Sequence, residues 1–290
     1  MRWPRCLGAL PQILAALVLV LAASSFRPVG AIEMRAPLTV DGETLLFVLR
    51  VYTPEGKGPF PSVIFHHGST GSGRDPSLFP NPFDPAALRT YFISRGWAFV
   101  LPSRRGRGGS EGLYDEGFAR DRSAGYTCEK ALSIPGADRA LRDIDVLTEE
   151  ILKLPFVDRA RVVIGGVSRG GILSVAYAGQ RPELFKGVIN FVGGWYGSPD
   201  RCGMASEINQ DIFKRGVAYP GPTLWLYGDG DTFYPLAHSR SNFEAFTSAG
   251  GKGSFHEYAK PDGLNGHFIH VRPQIWGDEV DRYLQAQGLS

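Results

Sequence analysis

Cysteine is scarce in this chain: there are three among 290 residues, and Cys6 sits ahead of an N-terminal apolar run. The other two, Cys128 and Cys202, lie too far apart in sequence for the close-spaced pairs of a structural zinc site. Charge of one sign is also lacking. The formal net charge is +2, and the three arginines among residues 1–31, which contain no acid, leave the remainder at −1. A body so nearly neutral has no electrostatic footprint for nucleic acid or anionic lipid. A membrane-spanning helix needs about 20 apolar residues. The run at residues 13–23 (ILAALVLVLAA) stops well short of that length. Internal repeats and low-complexity linkers are absent, which excludes solenoids and extended disordered tracts. There is no H-E-x-x-H metal motif. Gly106-x-Gly108 follows an apolar stretch, but Glu111 stands where a dinucleotide fingerprint needs its third glycine. These gaps leave no dinucleotide-binding fingerprint, and no metal site is expected.

What is present begins with a targeting signal. Arg2 and Arg5 precede the apolar run, and Val29-Gly30-Ala31 offers a small-residue cleavage pattern. Residues 1–31 are therefore expected to be a removed signal peptide. The mature protein is expected to be periplasmic or secreted, without stable membrane insertion. In an exported chain Cys128 and Cys202 can form one disulfide, with two buried thiols as the alternative. The remaining residues 32–290, in a chain that is 43% hydrophobic and 21% charged overall, suffice for one large core.

Apolar strands alternate with helical patterns along that stretch, which predicts a mainly parallel sheet with helices on both faces. Residues 38–40 and 45–52 read as an antiparallel pair turned at Asp41-Gly42. Further strands are expected at 62–66, 97–101, 161–164, 187–192, 223–227 and 255–258, giving about eight in all. Helices are expected at 85–95, from about 140 to 154 before Pro155, at 172–178 and from 273 to about 286. Residues 103–135 and 193–222 read as long loop insertions.

The chemistry-bearing signal is Gly166-x-Ser168-x-Gly170. It follows a strand of β-branched residues and opens a helix, the setting of a nucleophile elbow. A serine on so sharp a turn needs small neighbours two residues away on both sides, and glycines occupy both places. The hydroxyl is a weak nucleophile and needs a base. Asp231, in the turn Tyr227-Gly228-Asp229-Gly230-Asp231, is the expected acid, with Asp229 as its competitor. His267 is the expected base, with His270 as its rival, because it follows the last strand and completes the order serine, acid, histidine. Two backbone donors are expected for a developing oxyanion. One is the N–H of Arg169; the other is the N–H of Ser69, with Gly68 or Thr70 as alternatives. The two insertions leave the same ends of their strands, so Tyr126, Trp195 and Tyr196 are expected to line a substrate pocket. A Cys128–Cys202 bond would tie the insertions together over it.

Seven stretches carry a family resemblance: SVIFHHGSTG, RRGRGGSEG, DIDVLTEEI, RVVIGGVSRGG, PELFKGVINFVGG, YGDGDTFYP and NGHF. Spanning residues 61–268, they resemble the dienelactone hydrolase and prolyl-oligopeptidase-like branch of the α/β-hydrolases. The resemblance implies that fold, a Ser168–Asp231–His267 triad and no cofactor. Dienelactone hydrolases use a cysteine where this chain has Ser168, which argues against dienelactone itself as substrate. Oligopeptidases of the branch carry a large N-terminal propeller, for which these residues leave no room. A small-molecule ester is therefore the expected substrate. A small serine peptidase acting on short peptides is the alternative, and a catalytically silent binding protein the third reading.

Overall fold

The computed structural model describes residues 29–197 and 199–289. The expected signal run at 13–23 lies outside them. The first strand, β1 (Val29–Val40), begins within the Val29-Gly30-Ala31 segment read as a cleavage pattern. Among the described residues no helix is long and apolar enough to cross a membrane.

One eight-stranded sheet organises the chain. Its strands are β1, β2 (Glu43–Thr53), β3 (Phe60–His66), β4 (Ala98–Pro102), β5 (Val157–Val167), β6 (Gly187–Phe191), β7 (Thr223–Gly228) and β8 (Gly253–Tyr258). Their spatial order is β1-β2-β4-β3-β5-β6-β7-β8. The β1–β2 and β2–β4 pairs are antiparallel and all the others parallel. The chain steps one way from β3 to β4 and the other way thereafter. Right-handed crossovers then put the connecting helices on opposite faces. Accordingly α1 (Ala86–Ile93) packs with α6 (Pro273–Ala286), whereas α2 (Lys130–Ile151), α3 (Arg169–Gln180), α4 (Ala205–Lys214) and α5 (Leu236–Ser248) contact one another.

The period-two alternation of a strand distributes side chains between the two layers. In β6, Phe191 meets Trp276 of α6 at 4.9 Å, and its neighbour Asn190 turns to the other face, against Gly171 of α3. In β7, Trp225 packs on Phe213 of α4 at 4.4 Å and on Phe243 and Phe246 of α5 at 5.1 and 5.4 Å. Parallel strands covered on both sides read as continuous apolar runs, which is why they were legible.

Three differences from the sequence reading concern helices. α2 starts at Lys130, inside the stretch read as loop, and carries Pro135 within it. The proline and Gly136 look like a loop end. In fact a Cβ at 136 would collide with the backbone of Gly117, so the glycine lets the preceding loop lie on the helix. The 193–222 insertion contains α4, whose buried Ala205, Ile208, Asn209, Ile212 and Phe213 form one helical face. Finally, α5 was not anticipated. Its buried face is largely polar (His238, Ser239, Asn242), which masks the apolar period.

Candidate active site

β5 runs into α3 through Ser168, whose φ of +57° is strained for a residue with a side chain. The turn is possible only because its flanks are bare. A Cβ on Gly166 would strike the backbone of Gly170, and one on Gly170 would strike the His66 carbonyl. The Ser168 N–H donates to the Phe191 carbonyl at 3.0 Å, locking the elbow to β6.

Asp231 and His267 arrive on loops after β7 and β8. The His267 Nδ1 donates to Asp231 Oδ2 at 2.8 Å, and the Asp231 side chain is wholly shielded from solvent. Its other oxygen, Oδ1, accepts the N–H groups of Phe233 and Tyr234 at 2.7 and 2.9 Å. Asn265 joins the two loops: its Oδ1 accepts the His267 N–H at 2.9 Å, and its Nδ2 donates to Thr232 Oγ1 at 2.6 Å. Asp229 is exposed, its Oδ1 accepting the Gly230 N–H at 2.8 Å. His270 is buried with its Nδ1 unpartnered. Of the competing pairs, Asp231 and His267 are therefore the two in contact.

Ser168 and His267 line one cavity of about 530 Å³. In the structure the Ser168 hydroxyl faces the Tyr234 hydroxyl at 3.5 Å rather than the His267 ring. Tyr234 itself donates to the Gly194 carbonyl at 2.9 Å. Burial pushes its pKa up to about 12, so it stays a neutral O–H. A serine Oγ has three staggered positions about χ1, and catalytic hydrogen bonds often tighten only around substrate.

Ser69, Arg169, Tyr126, Trp195 and Tyr196 also line the cavity. Gly68 lies against the elbow: a Cβ there would sit 3.0 Å from Ser168 Cβ. The Thr70 N–H is already committed to the Tyr126 hydroxyl at 3.2 Å, which separates it from the other two amides considered in that loop. The Arg169 guanidinium is sandwiched between the rings of Tyr126 and Trp195, 3.7 and 4.3 Å from their centres. It donates to the carbonyls of Glu116 and Trp195 at 2.5 and 3.2 Å. Cys128 and Cys202 are disulfide-bonded with Cα atoms 5.6 Å apart, so the two insertions that supply those rings are covalently tied.

Sequence reasoning did not single out Tyr234, Arg107 or Glu116. Burial pushes the Glu116 carboxyl up, but Arg104, Arg169 and Arg107 outweigh that effect and hold it below the usual range. Phe233 and Phe268 flank His267 at the exposed rim, with ring centres 4.6 and 5.6 Å from the imidazole. The stretch GDTFYP contained a readable hint, since Tyr234 is three residues beyond the acid. Arg107 sits among other arginines and only the fold distinguishes it.

Buried histidines make a stability prediction. Burial, with Arg104 nearby, lowers the pKa of His66 and His67 well below the usual value. Burial, with His267 nearby, lowers His270 to about 4. These rings are neutral in the fold but take up protons near pH 6.5 once unfolded. Their contribution is thus complete above pH 6.5 and is lost as pH falls toward 4, at about 1.4 kcal/mol per pH unit for each ring. Urea midpoints should decline steadily from pH 7 to pH 4.5; a flat profile would contradict the neutral assignment.

Known proteins bear out the architecture. The solved structure of Est1E from Butyrivibrio proteoclasticus with ferulic acid bound matches with a TM-score of 0.60 at 17% identity, over 89% of this chain and all of that one. The chain has the α/β-hydrolase fold. An acylaminoacyl peptidase from Pyrococcus horikoshii shares the fold of this chain with a TM-score of 0.56 at 19% identity, over 92% of this chain and 41% of that one. The model of the prolyl oligopeptidase family, Peptidase_S9, matches residues 86–195, a stretch that contains Ser168 but ends before Asp231 and His267. Among curated proteins, the acylamino-acid-releasing enzyme of Rattus norvegicus is 27% identical over 154 residues, 52% of this chain and 17% of the relative. The chain spans about a sixth of the length of the curated relatives it matches. At this level the chain is similar to serine hydrolases of the S9 peptidase and esterase type.

Proposed function

We propose that this α/β-hydrolase cleaves a carboxylic ester through an acyl-enzyme on Ser168. His267 takes the serine proton and returns it to the leaving alcohol, and Asp231 holds the imidazole with Nδ1 protonated and Nε2 free to act as base. The Arg169 and Ser69 amides receive the oxyanion, and Tyr126, Trp195 and Tyr196 contact the substrate. One observation carries the reading: the buried Asp231–His267 hydrogen bond opens on the same cavity as a serine strained onto a strand-to-helix turn. The aromatic walls and the exposed rim of Phe233 and Phe268 suit an aryl group. The match to Est1E over that protein's whole length supports an ester. The disulfide supports maturation in an oxidising compartment, in keeping with export through residues 1–31.

Peptide or amide cleavage is the second reading, favoured by the match to the prolyl oligopeptidase family and by the names of the curated relatives, an acylamino-acid-releasing enzyme and a protease. Comparing p-nitrophenyl butyrate with an acetylated aminoacyl p-nitroanilide separates them, with a fluorophosphonate probe mapping the nucleophile. The expected result is labelling confined to Ser168 and efficient turnover of the ester. Anilide cleavage with an equal or higher kcat/KM would install the peptidase reading instead, and absence of labelling would remove both.

A further inference from the structure

Two donors converge on one backbone carbonyl beside the elbow. The Gly68 oxygen lies 2.9 Å from His67 Nδ1 and 3.1 Å from Arg107 Nη1. The tautomer of His67 follows from its other nitrogen. The Arg104 N–H lies 3.2 Å from Nε2 and can only donate, so Nε2 accepts and Nδ1 carries the hydrogen. Arg107 is the unusual partner. Its side chain is buried, with Nε toward the Phe79 carbonyl at 3.4 Å and its guanidinium 5.0 Å from the Tyr114 ring centre. Among the described residues it forms no ion pair: the one carboxylate buried nearby, Glu116, is bonded to Arg104 at 2.5 Å. A buried cation without its own counter-charge is costly to keep.

Geometry suggests what that cation does. In a trans peptide the carbonyl and the following N–H point in opposite directions. Pinning the Gly68 oxygen therefore sets the direction of the Ser69 N–H. That amide belongs to a residue lining the cavity and meets no acceptor among the described residues. The same peptide touches the elbow, since a Cβ on Gly68 would come within 3.5 Å of Ser168 Oγ.

We propose that Arg107 is a positioning residue for the oxyanion site. It clamps the Gly68 carbonyl so that the Ser69 N–H faces the substrate, and its unpaired charge makes that end of the cavity favourable to negative charge. This rests on the acyl-transfer reading above. When the Ser168 oxygen bonds to the substrate carbonyl carbon, the carbonyl π pair moves onto its oxygen and the serine proton passes to His267. The new anion then forms where Arg107 has oriented the donor.

The test uses the folded full chain, the neutral substrate p-nitrophenyl butyrate, and a trifluoromethyl ketone whose adduct with serine carries an oxyanion. In Arg107→Met, kcat is expected to fall about 10- to 100-fold, a fraction of what losing a donor outright costs. KM should stay within about threefold of the wild-type value, since the interaction is made in the transition state. The ketone should bind more weakly by the same factor as kcat/KM, and Arg107→Lys should recover part of both. Unchanged kcat and ketone affinity would overturn the proposal. A rise in KM alone would also overturn it, assigning Arg107 to substrate binding, as would a fall in kcat with ketone affinity intact. If Arg107→Met does not fold, Arg107→Gln, which keeps a donor but drops the charge, carries the same comparison. A wild-type chain with neither ester turnover nor Ser168 labelling would sink the esterase reading; an active wild type indifferent to Arg107 sinks only this one.

Discussion

Ester turnover by Ser168→Ala is expected to fall by about four to six orders of magnitude, and His267→Ala should fall about as far, because members of such a unit fail together. The substitution at 168 removes a single oxygen. Alanine meets the same strained φ of +57° that serine does, and the backbone bond from residue 168 to Phe191 is retained. The urea midpoint of Ser168→Ala should therefore stay near the wild-type value, which separates loss of chemistry from loss of fold. The double variant should be little worse than either single one, because a base without a nucleophile has nothing to deprotonate. Substantial turnover by Ser168→Ala would place the reacting group elsewhere.

The second large effect concerns the acid. Asp231→Asn is expected to cost about 10⁴ in kcat while leaving the protein folded. An asparagine can still accept the Phe233 and Tyr234 N–H groups through its oxygen, so the turn survives. What it presents to His267 is an N–H instead of a carboxylate oxygen. The imidazole must then accept at Nδ1 and carry its hydrogen on Nε2, where it cannot act as a base. Asp229→Asn touches only an exposed turn and should leave kcat within about twofold, as surface substitutions usually do. If the two variants ranked in the reverse order, the acid would have been misassigned.

How far the chain can be read without its fold depends on where the physics is local. The elbow was legible because its requirements are: a β-branched strand, glycines two residues to either side of the serine, and a helix directly after. The buried parallel strands were legible for a similar reason, since covering both faces leaves an uninterrupted apolar run. The start of α2 was not, because a proline and a glycine inside a helix make sense only once the Gly117 loop is seen lying on them. α5 was missed because its inward side is polar: His238 Nε2 lies within 3.3 Å of Asn242 Nδ2 and 3.5 Å of Asn209 Nδ2, contacts that no periodicity reports. At the site, the spacing of YGDGDTFYP pointed to Asp231, while Tyr234 three residues on was not singled out. Arg107 was the least legible. Nothing local separates it from Arg104 and Arg105, and its significance lies in a carbonyl 39 residues away.

Arg169 ties together parts of the molecule that are remote in sequence. Its backbone belongs to the elbow, and its guanidinium is gripped by a ring from each cystine-linked insertion and by the Glu116 carbonyl. Remodelling either insertion to admit a different substrate would disturb the residue immediately after the serine. Substrate range and nucleophile geometry are thus not separately adjustable here, and variants selected for new substrates should accumulate compensating changes around position 169 before they regain speed.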